Sequence, residues 1–305
     1  MSQSSSSVAQ CKICGKNSTH LCDLPSVNSK VLHIHRCDNC GFVFVGNSIT
    51  FEELGAAYGS QDTTQYYKEV GETTARKFKT ALKNFQQLKI DKNAAIIDIG
   101  TGHGDFLLFL RKSGFANLTG HEIPGEETKD LDNAKILVYK DFDYNSIPSS
   151  SFDVVTLMDV MEHVPDPRAV VAAIHRILKP GATIYFHTPC VTFVDRFMHR
   201  LQKLPGLGKI GRTWQRGRTS IFHLQNYTPA SIEMLLRQGG FENICIEQVN
   251  ELSWPVPRYV RVYLFPKAKA RVFLSYLFTP FFYLFLATPL FNANKGIAFA
   301  QKQST

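Results

Sequence analysis

Around residue 100 the sequence writes a buried strand, a loop with glycine at every second position, and a helix, with nothing between them. Ile97-Asp98-Ile99 is an apolar run interrupted by one acid, Gly100-Thr101-Gly102-His103-Gly104 follows at once, and Asp105–Lys112 has helical spacing closed by Gly114. Glycines at these points permit a tight turn and let backbone N–H groups at the helix start approach a ligand. A dinucleotide enzyme could use such a loop, and so could a purely structural turn. Dinucleotide loops space their glycines as G-x-G-x-x-G, whereas this one reads D-x-G-x-G-x-G.

The chain on either side keeps alternating. Leu118–Glu122, Ile136–Tyr139, Phe152–Met158, Thr183–His187 and Phe241–Val249 are predicted strands. Asp166-Pro167 and Thr228-Pro229 each pair an N-cap with proline at the first helical position, and Pro180-Gly181 and Gly239-Gly240 end the helices they open. Residues 73–89 place Ala75, Phe78, Leu82 and Phe85 at helical spacing, which predicts a lead-in helix. The expected fold class is α/β, a Rossmann-like, doubly wound, mostly parallel seven-stranded sheet with a small N-terminal zinc knuckle.

At the glycine loop the sequence resembles the class I S-adenosylmethionine (SAM)-dependent methyltransferases, particularly their small-molecule branch. The resemblance covers roughly residues 75–250 and a last strand near 296–302. It includes Ser151-Phe152-Asp153, the Asp159-Val160-Met161-Glu162-His163-Val164 segment and Leu178-Lys179-Pro180-Gly181. The resemblance implies SAM as cofactor, held by Asp98, Gly100, Gly102, Gly104 and Asp159. Glu122 would accept the ribose hydroxyls, Asp141 would meet the adenine amino group with Asp143 as an alternative, and Phe142 would pack on the ring. His103 is a spacer. Thr101 and Ala182 depart from residues usual in the family.

Methyl transfer from a sulfonium is an in-line displacement, so alignment and exclusion of water dominate, and a base is needed only for a hydroxyl or carbon acid. Candidate bases are His163, His187 and His223, each equally able to serve a structural role. The last lies in Phe222-His223-Leu224-Gln225-Asn226-Tyr227-Thr228-Pro229, which matches a stretch common in the family. The sequence after the fourth strand lacks the acidic-or-Asn-Pro-Pro-aromatic pattern of nucleobase and glutamine methylation.

Cys11-Lys-Ile-Cys14-Gly and Cys37-Asp-Asn-Cys40-Gly are two CxxCG knuckles, and residues 11–46 contain little else that could build a core. Four thiolates at this spacing suit a closed tetrahedral zinc site, which serves folding rather than catalysis. Cys22 and His20 lie between them as bystanders. A similar ribbon occurs in some nucleotide-sugar C-methyltransferases, whose second domain has no room here, and also in nucleic-acid binders.

The net charge of +8 is uneven: residues 193–219 carry +6 and residues 252–305 carry +7, leaving a mildly acidic body. Localised basicity implies an anionic surface as partner. Val194, Phe197, Met198, Leu201 and Leu204 share one helical face from which Arg196, Arg200 and Lys203 fall away. That suits either a membrane interface or a lid packed on its own domain, while Gly206, Gly208, Gly211 and Gly217 predict a mobile remainder of the insertion. Residues 272–294 are uncharged and long enough to span a bilayer, with a basic flank before them, but a return to the final strand would exclude a single span. Monotopic attachment to an anionic membrane surface is the expectation, against a buried interface or a true span. Aromatics interleaved with the basic residues (Phe193, Phe197, Trp214) are too few to favour nucleic acid.

The expected map is a disordered tail over 1–10, the knuckle over 11–46 and a helical lead-in over 47–92. The SAM-binding domain takes 93–250 and 295–303, with a basic lid insertion at 193–219 and a basic, apolar interfacial insertion at 252–294. The expected protein is a cytoplasmic, membrane-associated SAM-dependent methyltransferase with a small-molecule or lipid-like acceptor. The alternative is a zinc-ribbon nucleic-acid binder with a non-catalytic Rossmann-like domain.

Overall fold

The computed structural model describes residues 9–25, 31–50, 53, 71–124, 128–219, 223–251, 256–257, 287–304 and isolated positions between 273 and 283. Five parallel strands form its centre: β4 (Ile96–Ile99), β5 (Leu118–Glu122), β6 (Leu137–Lys140), β7 (Phe152–Met158) and β8 (Leu178–Pro189). With β10 (Phe241–Val249) and β11 (Lys295–Lys302) they make one seven-stranded sheet in the order β10-β11-β8-β7-β4-β5-β6. β11 runs antiparallel to both neighbours, pairing Ile297 with His187 and Glu247. The expected fold class is what the chain adopts.

Alternation along the strands sorts the core into two layers. Ile96, Val154, Tyr185 and Ile297 face one layer, shared with Phe78 and Phe85 of α1 (Gly71–Gln87) and Phe106 and Leu110 of α2 (Asp105–Lys112). Ile97, Val155, Ile184 and Ala298 face the other, under α4 (Pro167–Ile177) and α7 (Pro229–Gln238), while Leu131 of the short α3 (Lys129–Asn133) packs in the first layer. Both proline-led helices start as expected. The Asp166 side chain accepts from the Arg168 and Ala169 N–H groups, and Thr228 forms a reciprocal capping box with Ser231.

Three expectations need correction. β8 begins at Leu178, so Leu178-Lys179-Pro180-Gly181 continues into the strand rather than preceding it. The cysteine segment does build a core: β1 (Ser18–Pro25), β2 (Val31–Cys37) and β3 (Val43–Val45) form an antiparallel sheet that continues onto β9 (Gln225–Asn226) of the large domain. Leu32 and Ile34 alternate inward and pack with Val43, Val45, Val191 and Leu224, so the core is completed by residues distant in sequence. The glycine-spaced part of 193–219 is helical, α6 (Gly208–Arg218) lying against α5 (Phe193–Leu201). Gly211 is where their backbones meet, since a Cβ there would lie 2.4 Å from the Met198 carbonyl oxygen.

Most of 252–294 lies outside the described residues, as do residues 1–8 of the tail. Among described residues no helix is long and apolar enough to cross a membrane. Phe273, Tyr276, Leu277 and Tyr283 are exposed, and a short α8 (Pro289–Asn292) leads into β11.

Gly104 holds φ +90°, and a Cβ there would sit 2.3 Å from Leu131 Cγ. Gly104→Ala therefore combines left-handed strain with overpacking and should cost about 2 kcal/mol. Urea unfolding monitored by circular dichroism checks this, and an unmoved midpoint would show that the loop has slack.

Candidate functional site

The carboxyl ends of β4 and β7 lie side by side where the strand order reverses, the place at which open α/β sheets bind ligands. The glycine loop leaves β4 there. Gly100, Gly102 and Gly104 all have positive φ, and the loop folds back so that Thr101 N–H donates to His121 O. Gly102 N–H donates to Glu122 Oε2 at 2.6 Å, while Ile123 N–H holds Oε1 at 2.8 Å. Loop and acid are thus joined before any ligand arrives. Asp98, one strand residue earlier, is buried and accepts from Thr156 Oγ1 at 2.5 Å. Burial pushes its carboxyl up to about 7.

Asp141 has been drawn into its own turn. Its carboxylate accepts from His121 Nε2, Tyr144 N–H, Ser146 N–H and the Ser146 hydroxyl, and Asp143 accepts from Asn145. Phe142 is half-buried beside them. This turn lines a cavity of about 670 Å³ whose other walls are Ile49, Thr50, Pro165, Asp166 and Val170.

Asp159 ends β7 with φ +61°, its N–H donating to His187 O. Its carboxylate receives Lys77 Nζ from α1 at 2.8 Å, Lys295 Nζ from β11 at 2.6 Å and His187 Nδ1 from β8 at 2.7 Å. The other ring nitrogen of His187, Nε2, lies 3.0 Å from Glu251. Burial would raise the Asp159 carboxyl, yet Lys295, Lys77 and His187 hold it well below the usual carboxylate range. Burial alone would lower His187, but Asp159 and Glu251 raise it. His187 is thereby enclosed between two carboxylates.

His163 and His223 come together instead, with ring centroids 5.0 Å apart. One ligand atom from each lies within 4.8 Å of the others and of a Glu162 carboxylate oxygen, a set of donor types that could also take a divalent cation. Glu162 is fully buried, with Oε2 accepting from Thr188 Oγ1 and Oε1 having no hydrogen-bond partner among the described residues. Burial and the Asp159 charge push the Glu162 carboxyl up. Burial and neighbouring His163 hold His223 well below the ordinary imidazole value.

The four knuckle cysteines also converge, with Cys11 Sγ 3.7 Å from Cys40 Sγ and Cys14 Sγ 3.4 Å from Cys37 Sγ. Both spacings are far too long for a disulfide. They approach the edge of a thiolate tetrahedron around zinc, about 3.8 Å for 2.3 Å metal–sulfur bonds. Ile13 N–H donates to Cys11 Sγ and Cys40 N–H to Cys37 Sγ, the amide support a charged sulfur requires.

Lys77, Lys295, Glu251 and Thr188 were not legible as site residues. Each sits in an element the sequence does signal or beside one, but nothing local says that α1 and β11 meet over Asp159.

Taken together, the antiparallel last strand inserted beside β8, the glycine loop and the acid ending β5 define the class I methyltransferase fold. The model of the family described as "Methyltransferase domain" matches residues 71–246. The chain belongs to that family. The ubiquinone biosynthesis O-methyltransferase of Methylococcus capsulatus is 35% identical over 100 residues, which are 30% of this chain and 42% of that protein. Its counterpart from Nitrosococcus oceani is 31% identical over 163 residues, covering 48% of this chain and 63% of the relative. The chain therefore matches less than two thirds of either relative. Among solved structures, phosphoethanolamine N-methyltransferase 2 of Haemonchus contortus, in complex with SAM, superposes with a TM-score of 0.53. That match has 15% identity over 86% of this chain and 62% of that one, a likeness of fold.

The charge network fixes a pH dependence. A raised folded value for His187 means that its stabilisation is complete below its ordinary 6.5 and fades as pH rises through the raised value. The lowered Asp159 contributes above its ordinary 3.8 and loses its share only as pH falls through the lowered value. The melting temperature should therefore decline as pH rises from 6.5 through the raised His187 value, and His187→Gln should remove that part of the slope. Identical slopes in both proteins would mean that the network does not titrate with folding.

Proposed function

We propose that the chain transfers a methyl group from SAM to a hydroxyl of a small, lipid-like acceptor. The observation that carries this reading is the His163–His223 pair, placed with Glu162 just beyond β7 at the strand-order reversal that also holds the glycine loop. The relatives named as O-methyltransferases support the choice of oxygen. SAM supplies an electrophilic methyl on a sulfonium. Glu122 binds the ribose, the backbone of Gly100–Gly104 receives the methionine end, and the Asp141 turn presents Phe142 to the adenine. Asp98 buttresses the loop from below through Thr156. As the acceptor oxygen bonds to the methyl and the sulfur–carbon bond breaks, the hydroxyl proton passes to His223 or His163. Burial and His163 keep His223 unprotonated, the form that can receive a proton, while making it a weaker base. Asp159 and His187 align the edge of the site and do not exchange protons with the acceptor. Zinc in the four cysteines serves folding.

The acceptor is proposed to arrive from an anionic membrane surface on the cytoplasmic side. The helical hairpin α5–α6 exposes Phe193, Phe197, Leu204, Leu207 and Ile210 among Arg196, Arg200, Lys203, Lys209 and Arg212. Phe197 and Leu204 thus leave the face they were expected to share with Val194 and Met198, which is buried. The polar group packed beneath that face, Asp195 with Trp214 Nε1 at 2.6 Å and His199 with Gln215 at 2.6 Å, leaves the aromatic rings outside. Exposed rings interleaved with cations suit the headgroup boundary. The hairpin follows directly from the carboxyl end of β8, on the acceptor side.

Two measurements test the reading. Calorimetry should show SAM binding that Glu122→Ala weakens about tenfold or more, the loss expected when a charged hydrogen-bond acceptor is removed. His223→Ala should leave that affinity intact while lowering turnover of a hydroxyl-bearing ubiquinone analogue, the acceptor class that the relatives' names suggest, about a hundredfold. No SAM binding at millimolar ligand would refute the proposal. Separately, the protein should float with phosphatidylserine-containing vesicles, and Phe193→Asp with Phe197→Asp should release it. Equal flotation of the two proteins would place the membrane contact elsewhere.

A further inference from the structure

We propose that the cysteine ribbon is a positioning element of the acceptor site, setting His223 against His163 by clamping the strap from His223 to Thr228. This rests on the reading of that pair as the acceptor side. The strap is extended chain held along both edges. On one edge, Val45 N–H donates to Leu224 O, and β3 pairs Val43 with Asn226 and Phe44 with Gln225. On the other, Leu224 N–H donates to Glu162 O, Tyr227 OH to Met161 O, and the Gln225 side-chain amide to Val164 O. The ribbon therefore presses the strap onto the segment that carries Glu162 and His163.

The second knuckle makes the contact itself. Thr228 Oγ1 donates to the carbonyl of Cys40 at 2.6 Å, and the Phe42 ring lies 4.9 Å from the ring of fully buried Tyr227. Gly41 has φ +72°, and a Cβ there would come within 3.2 Å of the Thr228 methyl. The turn that four thiolates would fix around an ion is thus the surface on which the strap rests. Besides the β3–β9 ladder, ribbon hydrogen bonds to the large domain run to Leu224, Thr228, Pro165 and Arg216. None of these lies on the glycine loop or on β5. Only Lys12, on the Pro165 carbonyl, reaches a wall of the cavity beside Phe142, so loss of the ion should disturb the acceptor side and spare the glycine loop and Glu122.

The test uses the full chain, kept reduced and stripped of metal with a chelator, beside the metal-loaded protein. Hydrogen exchange should accelerate in 223–228 and 160–164 while β4 and β5 stay protected, and calorimetric SAM affinity should be unchanged. Thr228→Asp, which keeps a side-chain oxygen to cap α7 but can no longer donate to Cys40, should lower kcat on a hydroxyl-bearing ubiquinone analogue about a hundredfold, the effect of a small misplacement of a reacting group. KM for SAM should stay constant, and Thr228→Ser, which keeps the hydroxyl, should restore the rate. Continued protection of 223–228 after metal removal would overturn the proposal. So would loss of SAM binding along with the strap, because the ribbon would then be a stability element of the whole fold. Exchange as expected, but with no turnover of the ubiquinone analogue by the metal-loaded protein, would uphold the clamp and overturn only the proposed acceptor.

Discussion

A carboxylate at the end of β7 that collects two ammonium groups and an imidazole holds together elements from four parts of the chain. Asp159 receives Lys77 from α1, Lys295 from β11 and His187 from β8, and His187 passes the connection to Glu251 beyond β10. An acid so enclosed is strongly unfavourable unless its charge is matched and its oxygens are hydrogen-bonded. Here both conditions are met, and removing Asp159 would leave two ammonium groups and an imidazole facing one another with only Glu251 to balance them. The same residue carries a positive φ, so the chain turns at the point where the strand-order reversal opens a crevice. The lead-in helix, the inserted last strand and the edge of the site therefore share one electrostatic anchor.

Much of this was readable because the rules involved are local. The glycine loop, the two proline-led N-caps and the alternating strand pattern each follow from a few consecutive residues, and the structure places α2, α4, α7, β5, β7 and β10 where those residues predict. The position of the acid ending β5 was legible through the family resemblance, but its hydrogen bond to the Gly102 amide was not. What was not legible depends on chain segments meeting from far apart. His187 reads as a candidate base as plausibly as His223 does, and only tertiary structure shows that one is enclosed by two carboxylates while the other pairs with His163. Asp141 illustrates a different limit. A short acid followed by Tyr144 and Ser146 can satisfy its own turn, and that competes with any role toward a ligand.

The ribbon shows how a small segment acquires a core it could not build alone. Its inward residues are few, and Val191 and Leu224 of the large domain complete their packing. Sheet continuity across β3 and β9 satisfies an edge that would otherwise be exposed. The exposed face of α5 is the converse. A buried polar cluster around Asp195 and His199 occupies the inner side of the hairpin, and the aromatic residues are displaced outward.

The position of β11 has a consequence for the order in which the molecule can assemble. It lies inside the sheet, between β8 and β10, although α5, α6, α7 and β10 all intervene in the chain between β8 and β11. Until it arrives, β8 and β10 each present an unpaired edge, and Asp159 lacks one of its two lysines. Closing so long a connection is entropically slow, and open strand edges invite pairing with other chains while it is pending. Synthesis must pass residue 302 before the sheet can close. The half-built domain is therefore the species most exposed to misassembly, and the one on which a folding chaperone would act.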